Sequence, residues 1–309
     1  MRCSGVISNR SSNRSSPNIR QTNSRRSAVT ELAAAALVQR GITELSGRSD
    51  SPRRDAEVLL QAACSIDRTA LAKNPEQPVD AAAADAYFDF LKRRYDHEPV
   101  ACILGRKEFW SLELELNAST LVPRPETELL VETALEAIPA GTTVEIADLG
   151  TGSGAIALAL AAERPLARIT ATDLNPDALW QARDNASRLG LAIHFEEGDW
   201  FRPLAGRSFD VIVSNPPYVR DNDPLLQTGP ALFEPPLALF GGQDGLTCLR
   251  TLCASVKDHL NPGGFVALEH GHDQQDAVKA LLSEVNLESI VGHKDLAGRP
   301  RVTTARMPH

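Results

Sequence analysis

The sequence predicts an α/β protein: a seven-stranded, mostly parallel sheet covered on both faces by helices and preceded by a small helical domain. Three observations predict it. From Thr143 onward, short apolar strands alternate with helical segments, the pattern of βαβ units. The last two strands are joined only by "HKDLAGRP", too short for a helical crossover, so one of them runs antiparallel. Upstream, residues 28–98 carry helical periodicity that no strand pattern interrupts.

Taken in order, residues 1–27 are built mostly of Ser, Asn and Arg with no Asp or Glu. They have almost nothing to bury and read as a disordered basic extension of no essential role. A nucleic-acid arm and a transit peptide are the competing readings; a secretory signal is excluded because no apolar segment is present. In residues 28–98, "SAVTELAAAALVQRG" is expected to form a helix with Ser27 as N-cap and Gly41 just past its end. "SPRRDAEVLLQAAC" places Ser51 at the N-cap and Pro52 at N1, with Ala56, Leu59, Leu60 and Ala63 on one face. "DAAAADAYFDFLKRRYDHEP" is a third helix, stopped by Pro99. Residues 99–122 form a hairpin linker: Leu112, Leu114 and Leu116 alternate with Glu113 and Glu115 after Phe109. Residues 123–309 are the α/β domain. Its first helix starts after Pro125 and buries Leu129, Leu130, Thr133 and Ala134. The strands are "TVEIADLG", "RITATD", "AIHFEEGD", "FDVIVSN", "GFVALEHG" and two more near 287–292 and 301–306.

Composition narrows the function classes. Of 309 residues, 42% are hydrophobic and 23% charged, as in a folded globular chain. A net charge of −8 argues against the broad basic surface of a duplex-DNA binder, so no nucleic-acid partner is expected. No apolar run is long enough for a membrane helix, so no membrane partner is expected either. The five cysteines form no CxxC pair and are odd in number, which reads as free thiols in a reducing compartment. No metal site is expected. A cytoplasmic monomer is.

The chemistry sits at strand ends. "DLGTGSGAIALAL" joins the first strand to its helix; Gly150, Gly152 and Gly154, with Thr151 and Ser153 between them, permit positive φ and close approach of a ligand. The turn is either a nucleotide loop or only a tight βα turn, and it is not a P-loop, since no Gly-Lys-Ser/Thr follows. Asp173 ends the second strand, where an acid accepts from ribose hydroxyls; NAD and S-adenosylmethionine both fit, and so does a helix N-cap. Asp199 and Trp200 end the third strand, offering an acceptor for an adenine amine and a ring for stacking. The fourth strand ends in Asn215, Pro216, Pro217 and Tyr218. Two prolines stop the strand and hold an amide and a phenol rigidly. Hydride transfer has no use for that; methyl transfer to a planar nitrogen does.

With these residues the chain resembles the class I S-adenosylmethionine-dependent methyltransferases that act on amino groups. More closely it resembles the PrmC/HemK family, the protein-(glutamine-N5) methyltransferases of peptide chain release factors. The resemblance runs from about residue 28 to the end through "SPRRDAEVLL", "GRKEFWSLELEL", "LVPRPETELLVE", "DLGTGSGAIALALA", "GDWF", "SNPPYV", "FEPPLALFGGQDGL", "GGFVALEHG" and "KDLAGRPRV". It implies S-adenosylmethionine as cofactor and class I release factors as partners, with the glutamine of their Gly-Gly-Gln motif as acceptor. The Asn215 oxygen and the Pro216 carbonyl can accept the two N–H groups of that amide, and Tyr218 can pack on its plane. The rival enzyme is a nucleic-acid methyltransferase acting on adenine N6 or guanine N2 with the same strand-end logic. "VPRPETE" is expected over the cofactor, or else as a plain helix start; Arg124, Glu126, Glu234 and Glu269 have no assigned role, and His270 and His272 read as structural or exposed.

Overall fold

The computed structural model describes residues 32–309 apart from Thr228, and apart from the side chains of Leu225, Gln227 and Pro230. The expectations for residues 1–27 and for Ser27 as a cap lie outside the described residues.

The N-terminal part packs three helices, α1 (Ala34–Leu45), α2 (Pro52–Cys64) and α3 (Ala81–Tyr95). Their core is Leu37, Leu45, Leu59, Leu60, Tyr87 and Leu91, all essentially inaccessible to solvent. Each such side chain contributes roughly 1.5–3 kcal/mol on burial. Gly41 does not end α1 as expected. The helix runs through it, and a Cβ there would lie 2.1 Å from the Tyr87 hydroxyl and 2.9 Å from the Ala56 Cβ, so the position needs a residue without a side chain. The glycine serves close helix approach rather than termination. Asp55 ties α2 to α3: it accepts from Ser49 Oγ at 2.7 Å, Ser51 Oγ at 3.2 Å and Arg94 Nε at 2.7 Å. Short elements missed by the periodicity are a helix at Arg68–Lys73 and a two-residue pairing of Leu32–Ala33 with Pro78–Val79.

The segment after Pro99 begins with a short helix, Val100–Leu104, which buries Ile103 and ends on Gly105. The hairpin follows: Arg106–Phe109 pairs antiparallel with Leu112–Glu115, Phe109 facing Leu112. Trp110 and Ser111 take φ of +52° and +60°, the twist a two-residue hairpin turn demands. Trp110 is held there by two carboxylates, its backbone N–H donating to Glu128 at 3.1 Å and its Nε1 to Glu163 at 2.9 Å.

The sheet has seven strands: β1 (Glu145–Leu149), β2 (Arg168–Asp173), β3 (His194–Glu197), β4 (Phe209–Ser214), β5 (Leu260–Glu269), β6 (Glu288–Lys294) and β7 (Pro300–Arg306). Their order is β6-β7-β5-β4-β1-β2-β3, and β7 runs antiparallel to both neighbours, as the short connection requires. Alternation sends Ile146, Ile169, Val211, Val213 and Ala267 to one face. There they meet Phe109 and Leu114 of the hairpin and the helices α4 (Glu128–Ala137) and α5 (Ala155–Glu163). In α4 the buried positions are Leu130, Val131, Thr133 and Ala134; Leu129 is only half-buried. Ala147, Leu149, Ile212, Val266 and Leu268 point to the other face, against α7 (Thr247–Val256) and α8 (Gln275–Glu284). Helix α6 (Pro176–Leu189) follows β2. Among the described residues no helix is long and apolar enough to cross a membrane.

Candidate active site

Parallel strands bring their carboxyl ends to one edge, and the order of strand addition reverses between β1 and β4, which are adjacent and parallel. A cleft of about 250 Å³ opens there. Of the residues expected at the site, Gly150, Thr151, Gly152, Ser153, Asp173, Asp199, Trp200, Asn215 and Pro217 line it. Gly154, Pro216 and Tyr218 do not. Gly154 sits behind the turn, where a Cβ would meet Leu158 and Ala182, so it lets α5 pack against α6. Pro216 is buried, and Tyr218 points along the sheet edge toward β5.

The β1 turn is built from backbone. Gly150 and Gly152 have φ of +72° and +56°. A Cβ on Gly150 would lie 3.0 Å from the Trp200 ring, whereas one on Gly152 would meet nothing within 4 Å, so Gly152 faces open space in the cleft. Asp173 is not an N-cap. Asn175 caps α6, accepting from the Asp177 N–H at 3.0 Å. The Asp173 carboxylate instead accepts the Gly152 N–H at 2.8 Å and the Asn175 N–H at 2.9 Å, and burial pushes its pKa up against these bonds. Beneath the turn lies Asp148, fully buried, accepting from Thr151 Oγ1 at 2.6 Å. Burial outweighs that bond and raises its carboxyl to about 7. The sequence signal for Asp148 is an acid inside an otherwise apolar strand.

The β4 turn is built from side chains and distant segments. Ser214 Oγ donates to the Leu149 carbonyl at 2.7 Å and so staples the ends of β4 and β1 together. Asn215 Nδ2 donates to Thr127 Oγ1 at 3.2 Å, and among the described residues Oδ1 accepts no hydrogen bond. Tyr218 OH donates to Glu269 Oε1 at 3.3 Å at the end of β5. Burial of Glu269 raises its pKa to about 7, and the Tyr218 hydroxyl and the nearby Thr127 hydroxyl oppose the rise. The Tyr218 phenol is pushed well above its usual value, chiefly by burial and then by the Glu269 charge. Gln274, also buried, donates through Nε2 to the Tyr218 carbonyl at 3.0 Å and the Gly245 carbonyl at 3.2 Å. The chain beyond Tyr218 pairs with 239–241 through Val219 N–H to Leu239 at 3.0 Å and Gly241 N–H to Val219 at 2.7 Å.

Two further segments border the cleft. "VPRPETE" contributes Pro123, Arg124 and Thr127; the chain after β4 contributes Leu237 and Phe240. Arg124 pairs with the buried carboxylate of Glu234 and so joins these two segments across the opening. Burial raises the Glu234 pKa and the Arg124 charge opposes it. His270 is buried between the Gly271 carbonyl and Thr303 Oγ1, each 2.8 Å away, and burial depresses its pKa; His272 is exposed.

The family model described as the methyltransferase small domain matches residues 125–235, and that of the PrmC N-terminal domain matches residues 36–105. A release factor glutamine methyltransferase of Xylella fastidiosa is 47% identical over 257 residues, covering 83% of this chain and 94% of its own. The chain belongs to the release factor glutamine methyltransferase family. The release factor glutamine methyltransferase of Escherichia coli is 42% identical over 259 residues, covering 84% of this chain and 93% of its own. A solved methyltransferase from Pyrococcus furiosus shares the fold, with TM-score 0.50 and 23% identity, over 64% of this chain and 90% of that one. Release factor glutamine methyltransferases use S-adenosylmethionine. The cleft fits it: Gly152 opens onto the space a Cβ would enter, a carboxylate stands at the end of β2, and the Trp200 ring lies beside them.

Proposed function

We propose that this chain transfers a methyl group from S-adenosylmethionine to the side-chain amide nitrogen, N5, of the glutamine in the Gly-Gly-Gln motif of class I peptide chain release factors. It thereby tunes translation termination, as a monomer in the cytoplasm. The observation that carries this reading is Asn215 lining the cleft one strand from the glycine turn, with its Nδ2 donating to Thr127 and its Oδ1 accepting no hydrogen bond among the described residues.

An amide nitrogen is a weak nucleophile because its lone pair is delocalised into the carbonyl. Orientation is therefore the main thing the protein can supply, and it can lower the barrier by several kcal/mol. Gly150 to Ser153, Asp173, Asp199 and Trp200 would hold the cofactor. Bound S-adenosylmethionine supplies a methyl on a cationic sulfur with a neutral thioether as leaving group. The Asn215 oxygen and the Pro216 carbonyl accept the two N–H groups of the glutamine amide, and Pro217 and Tyr218 keep that turn in place. The nitrogen loses one proton, to water, once it has gained the methyl. The helices of 28–98 and the hairpin grip the rest of the release factor, and an acidic chain suits a protein partner better than a nucleic acid.

Incubation with methyl-labelled S-adenosylmethionine and separate pools of release factor, ribosomal RNA and DNA tests this. Label is expected in the release factor. Label confined to nucleic acid would replace the proposal by methylation of a base amine.

A further inference from the structure

We propose that two pinned apolar projections beside the cleft are the surface on which the release factor docks next to its acceptor glutamine: the tip between β6 and β7, which carries Leu296, and the segment 231–240, which carries Leu232 and Phe233. The proposal rests on the functional reading above and adds to it the residues that hold the body of the protein substrate.

Exposed apolar side chains are ordinary when scattered and informative when they gather. Here they gather. At the carboxyl edge of the sheet, where the acceptor turn opens, Leu174, Leu232, Phe233, Leu237, Phe240 and Leu296 are all exposed. At the amino edge, among the described residues, Leu166 is the one large apolar side chain left in water.

Leu296 is the most exposed of them, at 110%. At full exposure it adds nothing to the core, so packing does not account for a leucine there. Its place in the fold does. Because β7 runs against the parallel strands, its start lies at their carboxyl edge, and the tip projects from that edge. β7 is two strands from β4, so the base of the tip stands about 10 Å to the side of the acceptor turn. A standard protein interface covers about 800 Å² on each partner, which is roughly 30 Å across. A protein that delivers a side chain to Asn215 therefore lies over the tip as well.

Neither projection is loose. Asp295 Oδ1 accepts the N–H groups of Ala297 and Arg299, each at 2.9 Å, and Oδ2 accepts from Arg301 Nε at 3.1 Å. The Asp295 N–H donates to the Arg299 carbonyl at 2.9 Å and closes the tip. On the other projection the buried Glu234 carboxylate is held by Arg124, while Leu232 and Phe233 just before it are turned to solvent. Both use one device: an acid tied to an arginine fixes the backbone, and the apolar neighbour faces water. A side chain presented from fixed backbone has little freedom to lose on docking.

The test uses the full chain with an intact release factor as methyl acceptor. It compares the wild type with Leu296→Ser, with the double variant Leu232→Ser and Leu296→Ser, and with Leu166→Ser as the control at the opposite edge. Readouts are kcat, KM for the release factor, the S-adenosylmethionine Kd and the melting temperature. All three side chains are more than half exposed, so melting temperatures should agree within about 2 °C. KM is expected to rise about fivefold in Leu296→Ser and further in the double variant, with kcat and the cofactor Kd within about twofold of wild type. Leu166→Ser should match the wild type throughout. A wild-type KM in the double variant would overturn the proposal. So would a rise that Leu166→Ser shares, or one matched by an equal loss of cofactor binding. If the double variant does not fold, Leu296→Ser decides alone. Contact is read separately with the photo-crosslinker p-benzoylphenylalanine in place of Leu296. Crosslinks are expected to the release factor domain that carries the acceptor glutamine. No crosslink while methylation proceeds would overturn the proposal, and crosslinks confined to a second copy of this chain would assign the surface to self-association instead. Absence of release factor methylation by the wild type would reject the functional reading itself.

Discussion

Two turns stand side by side at the carboxyl edge of the sheet and solve opposite problems. The β1 turn must let a ligand close to the backbone, and it does so with glycines at φ of +72° and +56°, the second of them facing open space. The β4 turn must hold side-chain and carbonyl acceptors still, and it uses two prolines, donates to Thr127 and Glu269, and accepts from Gln274. One is made by residues that are local in sequence. The other is completed by residues from more than fifty positions away. The lesson is that a turn that presents backbone can be written in one short motif, while a turn that presents side chains depends on what the fold brings to it.

The largest expected effect comes from removing the acceptor. Asn215→Ala should lower kcat/KM for release factor methylation by about 10²–10³-fold, while S-adenosylmethionine affinity measured by calorimetry moves far less. A parallel collapse of cofactor affinity would mean that the two turns are not separable. Next is the β1 turn. Gly152→Ala forces an L-residue into left-handed backbone, a cost of about 1–2 kcal/mol, and places a methyl in the open cleft. The matched control is Gly47→Ala, which has φ of +74° and equally open space in an exposed loop. Both should lose similar stability, and only Gly152→Ala should lose cofactor affinity, by about tenfold or more. Equal binding in the two variants would contradict the role of that glycine.

How legible all this was in the sequence follows the same division. The glycine turn, Asp173, Trp200 and the Asn-Pro-Pro-Tyr turn could be named because each announces itself by residue type within a few positions. The strands could be read from alternation, and the antiparallel pairing of the last two from the length of their connection; which of the two opposes the rest of the sheet could not. Gly41 misled because the same residue that ends helices also permits them to touch, and only the packing of Tyr87 and Ala56 distinguishes the two uses. The helix at Val100–Leu104 was hidden by its shortness. Thr127, Glu269 and Gln274 gave no local signal, because a buried polar residue explains itself only through the partner it meets. Arg124 and Glu234 lie 110 positions apart and meet only once both segments border the cleft.

That pair gives a smaller test. Arg124→Ala leaves the Glu234 carboxylate buried without its cation. Because Arg124 is itself about a third exposed, the expected loss is modest, about 1 kcal/mol, with faster amide exchange across 231–240 and unchanged exchange in α8. Uniform loosening of the whole chain would show that the pair does not act locally. The last test is read as a difference between two pH values and concerns Asp148. Burial raises its carboxyl to about 7, above the value near about 4 of an unfolded chain. Between those values the folded state binds the extra proton, so stability is highest below the unfolded pKa, falls as pH rises toward 7 and then levels off. Asp148→Asn removes that penalty. Its melting temperature should exceed that of the wild type by a few degrees at pH 8, at about 2–4 °C per kcal/mol, and by much less at pH 4.5. The same difference at both pH values would refute the linkage.

The most direct measurement is mass spectrometry of the peptide that carries the Gly-Gly-Gln motif, after release factor is incubated with S-adenosylmethionine and either the wild type or Asn215→Ala. The account predicts one added methyl on the glutamine side chain with the wild type and almost none with the variant. An unmodified glutamine with active wild type and cofactor present, or equal modification by both proteins, would contradict it.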